Sequence, residues 1–122
     1  MLVRTKIFLL FFFTILFFTS CHKEGIGGKG TIKGVVKHHD NAIPNSTVYI
    51  KFGATEFPGT NVSAYDANVS ADASGNYEIK DLYRGDYYLY GIGMDAGDVV
   101  TGGVAVKLKR NKTVTIDVPV TE

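Results

Sequence analysis

The chain has 122 residues and a formal net charge of +1, and six of its eight Phe residues lie among the first twenty positions. Without those twenty residues the chain has about the size of one small domain, which excludes a multi-domain enzyme. Two of the 13 basic residues, Arg4 and Lys6, belong to the first segment, so acidic residues slightly outnumber basic ones in the remainder. We therefore expect no nucleic-acid partner, because that role needs a basic surface.

The first segment has the pattern of an export signal. Arg4 and Lys6 form a short basic start, and 7–18 is apolar apart from Thr14. A membrane-spanning helix needs about 20 apolar residues, so this run is too short for a permanent span. The sequence predicts a cleaved signal peptide over residues 1–20.

The single cysteine, Cys21, follows this segment directly and excludes an internal disulfide or a CxxC redox pair. The run Phe18-Thr19-Ser20-Cys21 resembles a bacterial lipobox, although such motifs usually carry Leu, Val or Ile where this chain has Phe18. The resemblance implies that Cys21 is acylated and becomes the new N-terminus, held by membrane lipid. Several acyl chains anchor a protein almost permanently. We expect a lipid-anchored protein of the cell envelope, in the outer membrane of a Gram-negative bacterium. The sequence does not specify whether the domain faces the periplasm or the outside. An ordinary secreted protein is the alternative.

Residues 21–30 are rich in Gly and offer almost nothing to bury. This composition predicts a flexible tether between the lipid and a domain over residues 31–122.

In the domain over residues 31–122 no window sustains a helical apolar pattern, and short runs of β-branched and aromatic residues recur instead. The fold class that we predict is all-β, a seven-stranded antiparallel sandwich of two sheets. The predicted strands are Thr31–Lys37, Thr47–Phe52, Asn68–Ala71, Asn76–Ile79, Asp86–Met94, Val104–Leu108 and Thr113–Val118.

Apolar residues alternate with polar ones along four of these strands, which predicts the inward face of each strand. The turns fit as well, because Gly75, Gly85 and Asn111 stand where a positive φ is needed. The residues that we expect in the core are Val48, Ile50, Phe52, Tyr77, Ile79, Val104, Val106, Leu108, Val114, Ile116 and Val118.

A longer pattern is similar to that of the carboxypeptidase regulatory-like domain, a transthyretin-like or prealbumin-like module that is related to collagen-adhesin B-type domains. It consists of G-x-V, a Pro before a strand, and D-x-x-G-x-[YF]-x-[IL]-x-x-L-x-x-G-x-Y-x-L. The matching segments are Gly34-Val35-Val36, the run 42–48, the run 72–79, Leu82 and the run 85–89. The resemblance implies a prealbumin-like sandwich that serves as an accessory or binding module. The fold does not specify a function.

Catalytic side chains are sparse in this sequence, so we expect no enzyme, no cofactor and no metal site. The pair His38-His39 lies in a loop, where adjacent side chains on an extended chain point apart, and we interpret it as a solvated polar loop. We interpret Asp72 as the first residue of a tight turn and not as part of a calcium loop. The related adhesin domains join a Lys to an Asn or Asp by an isopeptide bond. Lys33 or Lys37 could pair here with Asp117, but Gly91 replaces the assisting Glu, so we expect no such bond.

Tyr88 and Tyr90 are the first candidates for a binding surface. They alternate with Tyr87 and Leu89, so both should point outward about 7 Å apart, with Gly91 and Gly93 leaving space beside them. Exposed rings at that spacing could stack on a sugar or on a partner's aromatic side chains, although Tyr also suits any half-exposed strand.

The long connection Gly53–Ala67 is the second candidate for a binding surface. It carries Phe57 and Tyr65, and connections of this length inside a compact domain are often functional. Two functions follow from these surfaces. The first is a lipid-anchored, non-enzymatic accessory domain that contacts an envelope protein or a glycan. The alternative is a structural spacer or assembly component of an envelope complex with no ligand of its own.

Overall fold

The computed structural model describes residues 23–122. The predicted signal peptide and the predicted lipidation site, Cys21, lie outside this range and stay predictions. A single short 3-10 helix, Val62–Ala64, accompanies the strands in the described range. The strands are β1 (Ile26–His38), β2 (Asn41–Ala42), β3 (Thr47–Phe52), β4 (Ala67–Ser70), β5 (Asn76–Leu82), β6 (Gly85–Asp95), β7 (Asp98–Leu108), β8 (Thr113–Thr115) and β9 (Val118–Pro119).

Two sheets form a sandwich, which confirms the predicted fold class. The four-stranded sheet has the order β4-β3-β6-β7 and is antiparallel throughout. In the other sheet β1 pairs with β2, β5, β8 and β9. This sheet is mixed and not purely antiparallel, because β8 and β9 run parallel to β1. The turn after β7 carries the chain across to the second sheet, so the last strands run in the same direction as β1.

The core lies between the sheets and confirms most of the predicted inward face. Of the predicted core residues, Val48, Ile50, Tyr77, Ile79, Val106, Leu108 and Val118 are buried. The others, Phe52, Val104, Val114 and Ile116, are partly buried against them. Burying each large apolar side chain contributes about 1.5–3 kcal/mol, so this packing is the main source of stability. The core also includes Ile32, Val36, Ile43, Val100 and Val120.

Strand β1 begins earlier than predicted, because Ile26–Gly30 belongs to it instead of to a flexible tether. Ile26 and Gly30 both pair with Leu82 across a register irregularity. The glycines here allow close packing. A Cβ on Gly28 would lie 2.4 Å from the carbonyl oxygen of Leu82, and one on Gly30 would lie 2.7 Å from Leu108 Cδ2. Composition alone does not separate this role of Gly from flexibility.

The sandwich has two ends that carry different turns. We call proximal the end where β1 begins, which also contains the turns 83–84 and 109–112. We call distal the end that contains the turns 39–40, 72–75 and 96–97. Strand β6 has 11 residues and runs from one end to the other, so the ends are separated by about 35 Å.

Candidate functional site

Tyr88 and Tyr90 point away from the core, as the alternation along β6 predicts. Their neighbours Tyr87 and Leu89 are each 0% exposed and belong to the core. On the adjacent strand β3, Tyr49 lies opposite Tyr90. Side chains directly opposite on one face of a sheet are in contact range. The outer face of the four-stranded sheet therefore carries three neighbouring tyrosines.

The loop 53–66 folds back over this face and adds two more rings. Phe57 lies 5.4 Å from Tyr90 and 5.9 Å from Tyr88, measured between ring centroids. Tyr65 stacks on Tyr90 at 5.7 Å and contacts Tyr49 at 6.0 Å. These are separations at which aromatic pairs attract. The four predicted binding residues thus belong to one unit, the aromatic cluster of Tyr49, Phe57, Tyr65, Tyr88 and Tyr90.

The expectation that Tyr90 lies uncovered is wrong. Its side chain is outside the core, yet Tyr90 is only 4% exposed, because Phe57 and Tyr65 pack on it from above. Gly91 and Gly93 leave no space beside the tyrosines either. A Cβ on Gly91 would approach Val118, and one on Gly93 would approach Ile43, so both glycines face the core. Tyr90 therefore supports the cluster from beneath.

Several hydrogen bonds hold the loop 53–66 in its place. The backbone amide of Phe52 donates to Asp66 Oδ2 at 2.7 Å, and the hydroxyl of Tyr65 donates to the carbonyl of Gly59 at 2.8 Å. Asn61 caps the 3-10 helix by accepting from the amide of Ser63 at 3.2 Å. Burial, with a smaller contribution from the other cluster tyrosines, raises the pKa of Tyr65 to about 12. The loop is thus an ordered cover.

Of the five rings of the cluster, Tyr90 is buried, Phe57 is exposed and the others are half-buried; we call Phe57 and its contact partner Tyr88 the aromatic shelf. Phe57 is 51% exposed, and Tyr88 is half-buried. Tyr88 lies across β7 at Gly103, where a Cβ would come within 2.5 Å of its Cε1 atom. Gly103 has no side chain, so the tyrosine ring can lie against the strand.

Charged pairs flank the aromatic shelf on two sides. Lys51 lies opposite Tyr88 in the sheet and pairs with Asp66 at 3.6 Å. On the proximal side, Asp86 Oδ1 lies 4.0 Å from Lys107 Nζ. A sugar ring presents an apolar face and a rim of hydroxyl groups. The shelf can stack on such a face, while the ammonium and carboxylate groups donate to and accept from the hydroxyls.

The histidine pair does not form the solvated loop that we expected. His38 is buried at 9% exposure, and its Nδ1 lies 2.7 Å from Asp95 Oδ2. His39 is exposed and adopts a φ of 55°, and its ring lies 4.5 Å from that of His38. The prediction failed because the extended-chain rule does not hold through a turn with a positive φ. His38 joins the end of β1 to the β6–β7 turn.

Asp72 heads a tight turn, as predicted. Its Oδ1 accepts from the amides of Ser74 at 2.8 Å and Asn76 at 2.9 Å, and these bonds lower the pKa of Asp72. Gly75 has the positive φ of 79° that the turn needs. The carboxylate is therefore committed to its own backbone.

A polar groove of about 630 Å³ runs along the outer face of the sheet that contains β1, β5 and β8. Asp72 and Asp117 both line it, but Asp117 accepts from the amide of Val35 at 3.1 Å and pairs with Lys37 at 3.4 Å. These side chains already have partners, so the aromatic shelf is the stronger candidate.

Within residues 23–122, no group of three His, Cys, Asp or Glu side chains is arranged to hold a metal ion. No helix in that range is long and apolar enough to span a membrane.

Sequence reasoning missed Tyr49 and the joining of the two predicted surfaces. Tyr49 alternates with the core residues Val48 and Ile50, so its outward position could have been predicted from the sequence. The side of the sheet on which the loop 53–66 folds depends on long-range ring packing. No local pattern encodes that packing.

Neither a protein-family model nor a curated protein sequence matches the chain. The solved structures that resemble it include the following two. A candidate carbohydrate-binding protein from Pseudomonas aeruginosa has a TM-score of 0.55 and 12% identity, over 84% of this chain and 93% of that one. A DUF3823 family protein from Parabacteroides merdae has a TM-score of 0.51 and 16% identity, over 78% of this chain and 47% of that one. At these identities the likeness shows the fold, a β-sandwich that two bacterial proteins share.

Proposed function

We propose that the chain is a lipid-anchored, non-enzymatic binding domain of the bacterial cell envelope, and that its aromatic shelf binds a glycan. The observation that carries this proposal is the shelf itself. Phe57 is 51% exposed, although its ring contacts the rings of both Tyr88 and Tyr90. A ring that is fixed before binding loses little conformational entropy when a ligand stacks on it.

Supporting interactions make the aromatic shelf rigid. Tyr90 lies beneath Phe57, and Tyr65 stacks on Tyr90. The hydroxyl of Tyr65 donates to the carbonyl of Gly59 within the same loop. Binding sites work best when packing locks the side chains that touch the ligand. The flanking Lys51–Asp66 and Lys107–Asp86 pairs supply polar groups of both signs, which suits an uncharged ligand with many hydroxyls.

Binding fits the site better than catalysis does. In the aromatic cluster no histidine lies beside a nucleophile, and the buried His38 pairs with Asp95 at the distal end. Acid–base catalysis needs a proton-transfer group within hydrogen-bond reach of the substrate. The carbohydrate-related name of the Pseudomonas aeruginosa neighbour points the same way.

Anchoring through Cys21 rests on the lipobox-like run that precedes it. The described structure is compatible with this placement, because Lys23 and Glu24 lie at the surface at the start of the domain. A lipid attached at Cys21 would therefore leave the core undisturbed. The aromatic shelf, on the outer face of a sheet, would remain open to the aqueous phase.

A structural role is the second candidate, and one observation favours it. Met94 and Val99 lie opposite each other at the distal end of β6 and β7 and are 54% and 58% exposed. Exposed apolar patches of this kind often mark protein contacts. A fixed neighbour in an envelope complex could cover them, and the aromatic cluster would then serve only to order its loop.

A glycan array and a set of bacterial envelope polysaccharides test the proposal, probed with the purified full chain as its host processes it. We expect saturable binding to at least one glycan, and we expect Phe57→Ala to remove it. Binding that survives in Phe57→Ala would contradict the assignment of the site. No glycan binding, together with stable capture of one envelope protein, would favour the structural role.

A further inference from the structure

The chain is fastened to the domain only three residues after Cys21. The carboxylate of Glu24 accepts from the backbone amide of Asp86 at 3.0 Å, which lowers the pKa of Glu24. Gly25 is buried, and its amide donates to the hydroxyl of Tyr87 at 3.0 Å. The carbonyl of Gly25 accepts from the amide of Tyr83 at 2.9 Å. These bonds fix the start of the described chain to the proximal end.

The distance between a lipid on Cys21 and the domain is therefore short. An extended chain spans at most about 3.6 Å per residue, so the three steps from Cys21 to Glu24 reach roughly 11 Å. Strand β6 alone runs about 35 Å from end to end. The connection is shorter than the domain, so a lipid on Cys21 would keep the attachment point at the proximal end within roughly 11 Å of the bilayer surface.

The proximal end is also the basic end. A shallow cavity of about 440 Å³ lies there, lined by Glu24, Asp86 and four cationic side chains. Within residues 23–122, Arg84, Lys109 and Arg110 form no ion pair. The cationic residues of this end are Lys23, Lys29, Arg84, Lys107, Lys109, Arg110 and Lys112.

The distal end carries the opposite charge. Its turns, together with the strand ends on both sides of the turn 96–97, contain Asp40, Asp72, Asp95 and Asp98 and no Lys or Arg. Charges on the two ends are separated by several Debye lengths, each about 8 Å at physiological salt, so each end acts on its surroundings independently. An anionic surface attracts the proximal end and repels the distal one.

We propose that the sandwich stands on the membrane by its proximal end, where Arg84, Lys109 and Arg110 bind anionic lipid headgroups. The proposal rests on the proposed lipid anchor for its orientation, and the charge distribution supports the same orientation independently. Ile26, which is 59% exposed at this end, adds an apolar contact at the headgroup boundary. Each Lys or Arg near an anionic surface strengthens attachment about fivefold at low to moderate salt.

The test uses the full chain, processed by its bacterial host and reconstituted into vesicles, with one thiol label per variant. Thr113→Cys places the label at the proximal end and Ala73→Cys at the distal end; both positions are exposed. A lipid whose headgroup carries a quencher reports proximity. In vesicles that contain phosphatidylglycerol, we expect strong quenching at Thr113→Cys and little at Ala73→Cys. Equal quenching at the two positions would overturn the proposal.

Matched charge variants separate lipid binding from simple tethering. Lys109→Gln/Arg110→Gln should lower the ratio of docked to undocked label by about 25-fold. The control Lys33→Gln/Lys37→Gln removes the same charge from the middle and the distal part of β1, away from the proximal end, and should change this ratio little. If the two variants behave alike, or if vesicles of phosphatidylcholine alone quench equally, the headgroup contact is wrong.

The anchor is checked separately by mass spectrometry of the purified chain. An unacylated Cys21 would refute the anchor of the proposed function. Its free thiol would also take the label, so the quenching comparison would then be made in the Cys21→Ser background to decide the docking. Quenching restricted to Thr113→Cys on phosphatidylglycerol vesicles would support the docking without the anchor. Absence of quenching at both positions would refute the docking of the proximal end on the membrane.

Discussion

The hydroxyl of Tyr87 accepts a hydrogen bond from the backbone amide of Gly25 at 3.0 Å, across 62 residues of sequence. The same hydroxyl donates to the carbonyl of Tyr83 at 2.5 Å. One core side chain thus joins the first described residues to the turn between β5 and β6. Through this contact the start of the chain becomes part of the sandwich.

Tyr87→Phe should lower the free energy of unfolding by about 1–3 kcal/mol, because the buried amide of Gly25 loses its partner while the ring still fills the core. Urea denaturation measures this loss, and hydrogen exchange should show faster exchange at Gly25. The matched control is Tyr49→Phe, whose hydroxyl forms no hydrogen bond within residues 23–122. Equal stability of the two variants would show that the Tyr87 contact is unimportant.

Tyr90→Ala and Phe57→Ala should differ in their effect on stability. Tyr90 is 4% exposed beneath the loop, so its removal leaves a cavity and should cost on the order of 3–5 kcal/mol. Phe57 is half exposed, and its loss should cost about 1 kcal/mol. Thermal and urea unfolding of the two variants compare these costs. A larger loss for Phe57→Ala would mean that it, and not Tyr90, supports the loop.

Alkaline pH should unfold the domain as its buried and half-buried tyrosines ionise. Burial raises the pKa of Tyr65 to about 12 and also raises the pKa values of Tyr77, Tyr87 and Tyr88. A raised pKa in the folded state means that the contribution to stability is complete below about pH 10 and is lost as the pH rises through the folded value. Tyrosinate absorbance and circular dichroism should therefore change together between about pH 10 and 12. Ionisation of every tyrosine near pH 10 with the fold intact would contradict this.

Cys21→Ser should abolish acylation, because a hydroxyl does not accept the diacylglycerol that a thiol accepts. Growth with a clickable fatty acid should label the wild-type chain and leave the variant unlabelled. The change should also alter how the precursor is processed. A variant that keeps its full label would refute the lipid anchor.

The fold could be predicted because its determinants are local. Alternation along β3, β5 and β7 identified core residues such as Ile50, Tyr77 and Leu108, and Gly75 and Asn111 marked turns whose positive φ the structure shows. The parallel pairing of β8 with β1 could not be read in this way. It depends on the turn after Leu108 crossing between sheets, and pairing partners leave little trace in a single strand.

The sequence could predict which residues form the candidate site, but not how they are arranged in space. Sequence alternation placed Tyr88 outward correctly, but whether an outward ring is covered depends on a loop more than twenty residues away. The glycines at the start of the domain also led to a wrong prediction, a flexible tether where the structure has the beginning of β1. Gly28 and Gly30 allow close approach to Leu82 and Leu108, a role that composition does not distinguish from a flexible linker.

Glycan binding by paired variants is the most direct test of the proposed function, with affinity measured for the glycan found on the array. Phe57→Ala/Tyr88→Ala removes the aromatic shelf, and Met94→Ala/Val99→Ala removes similarly exposed apolar surface from the distal end of the same sheet face. We expect the first pair to weaken binding by at least about 30-fold, the loss when one aromatic anchor contributes about 2 kcal/mol. The second pair should bind like the wild type, and circular dichroism should show that both double variants are folded at the temperature of the binding assay. Unchanged binding in the first pair, or a loss confined to the second, would contradict the assignment of the shelf as the binding site.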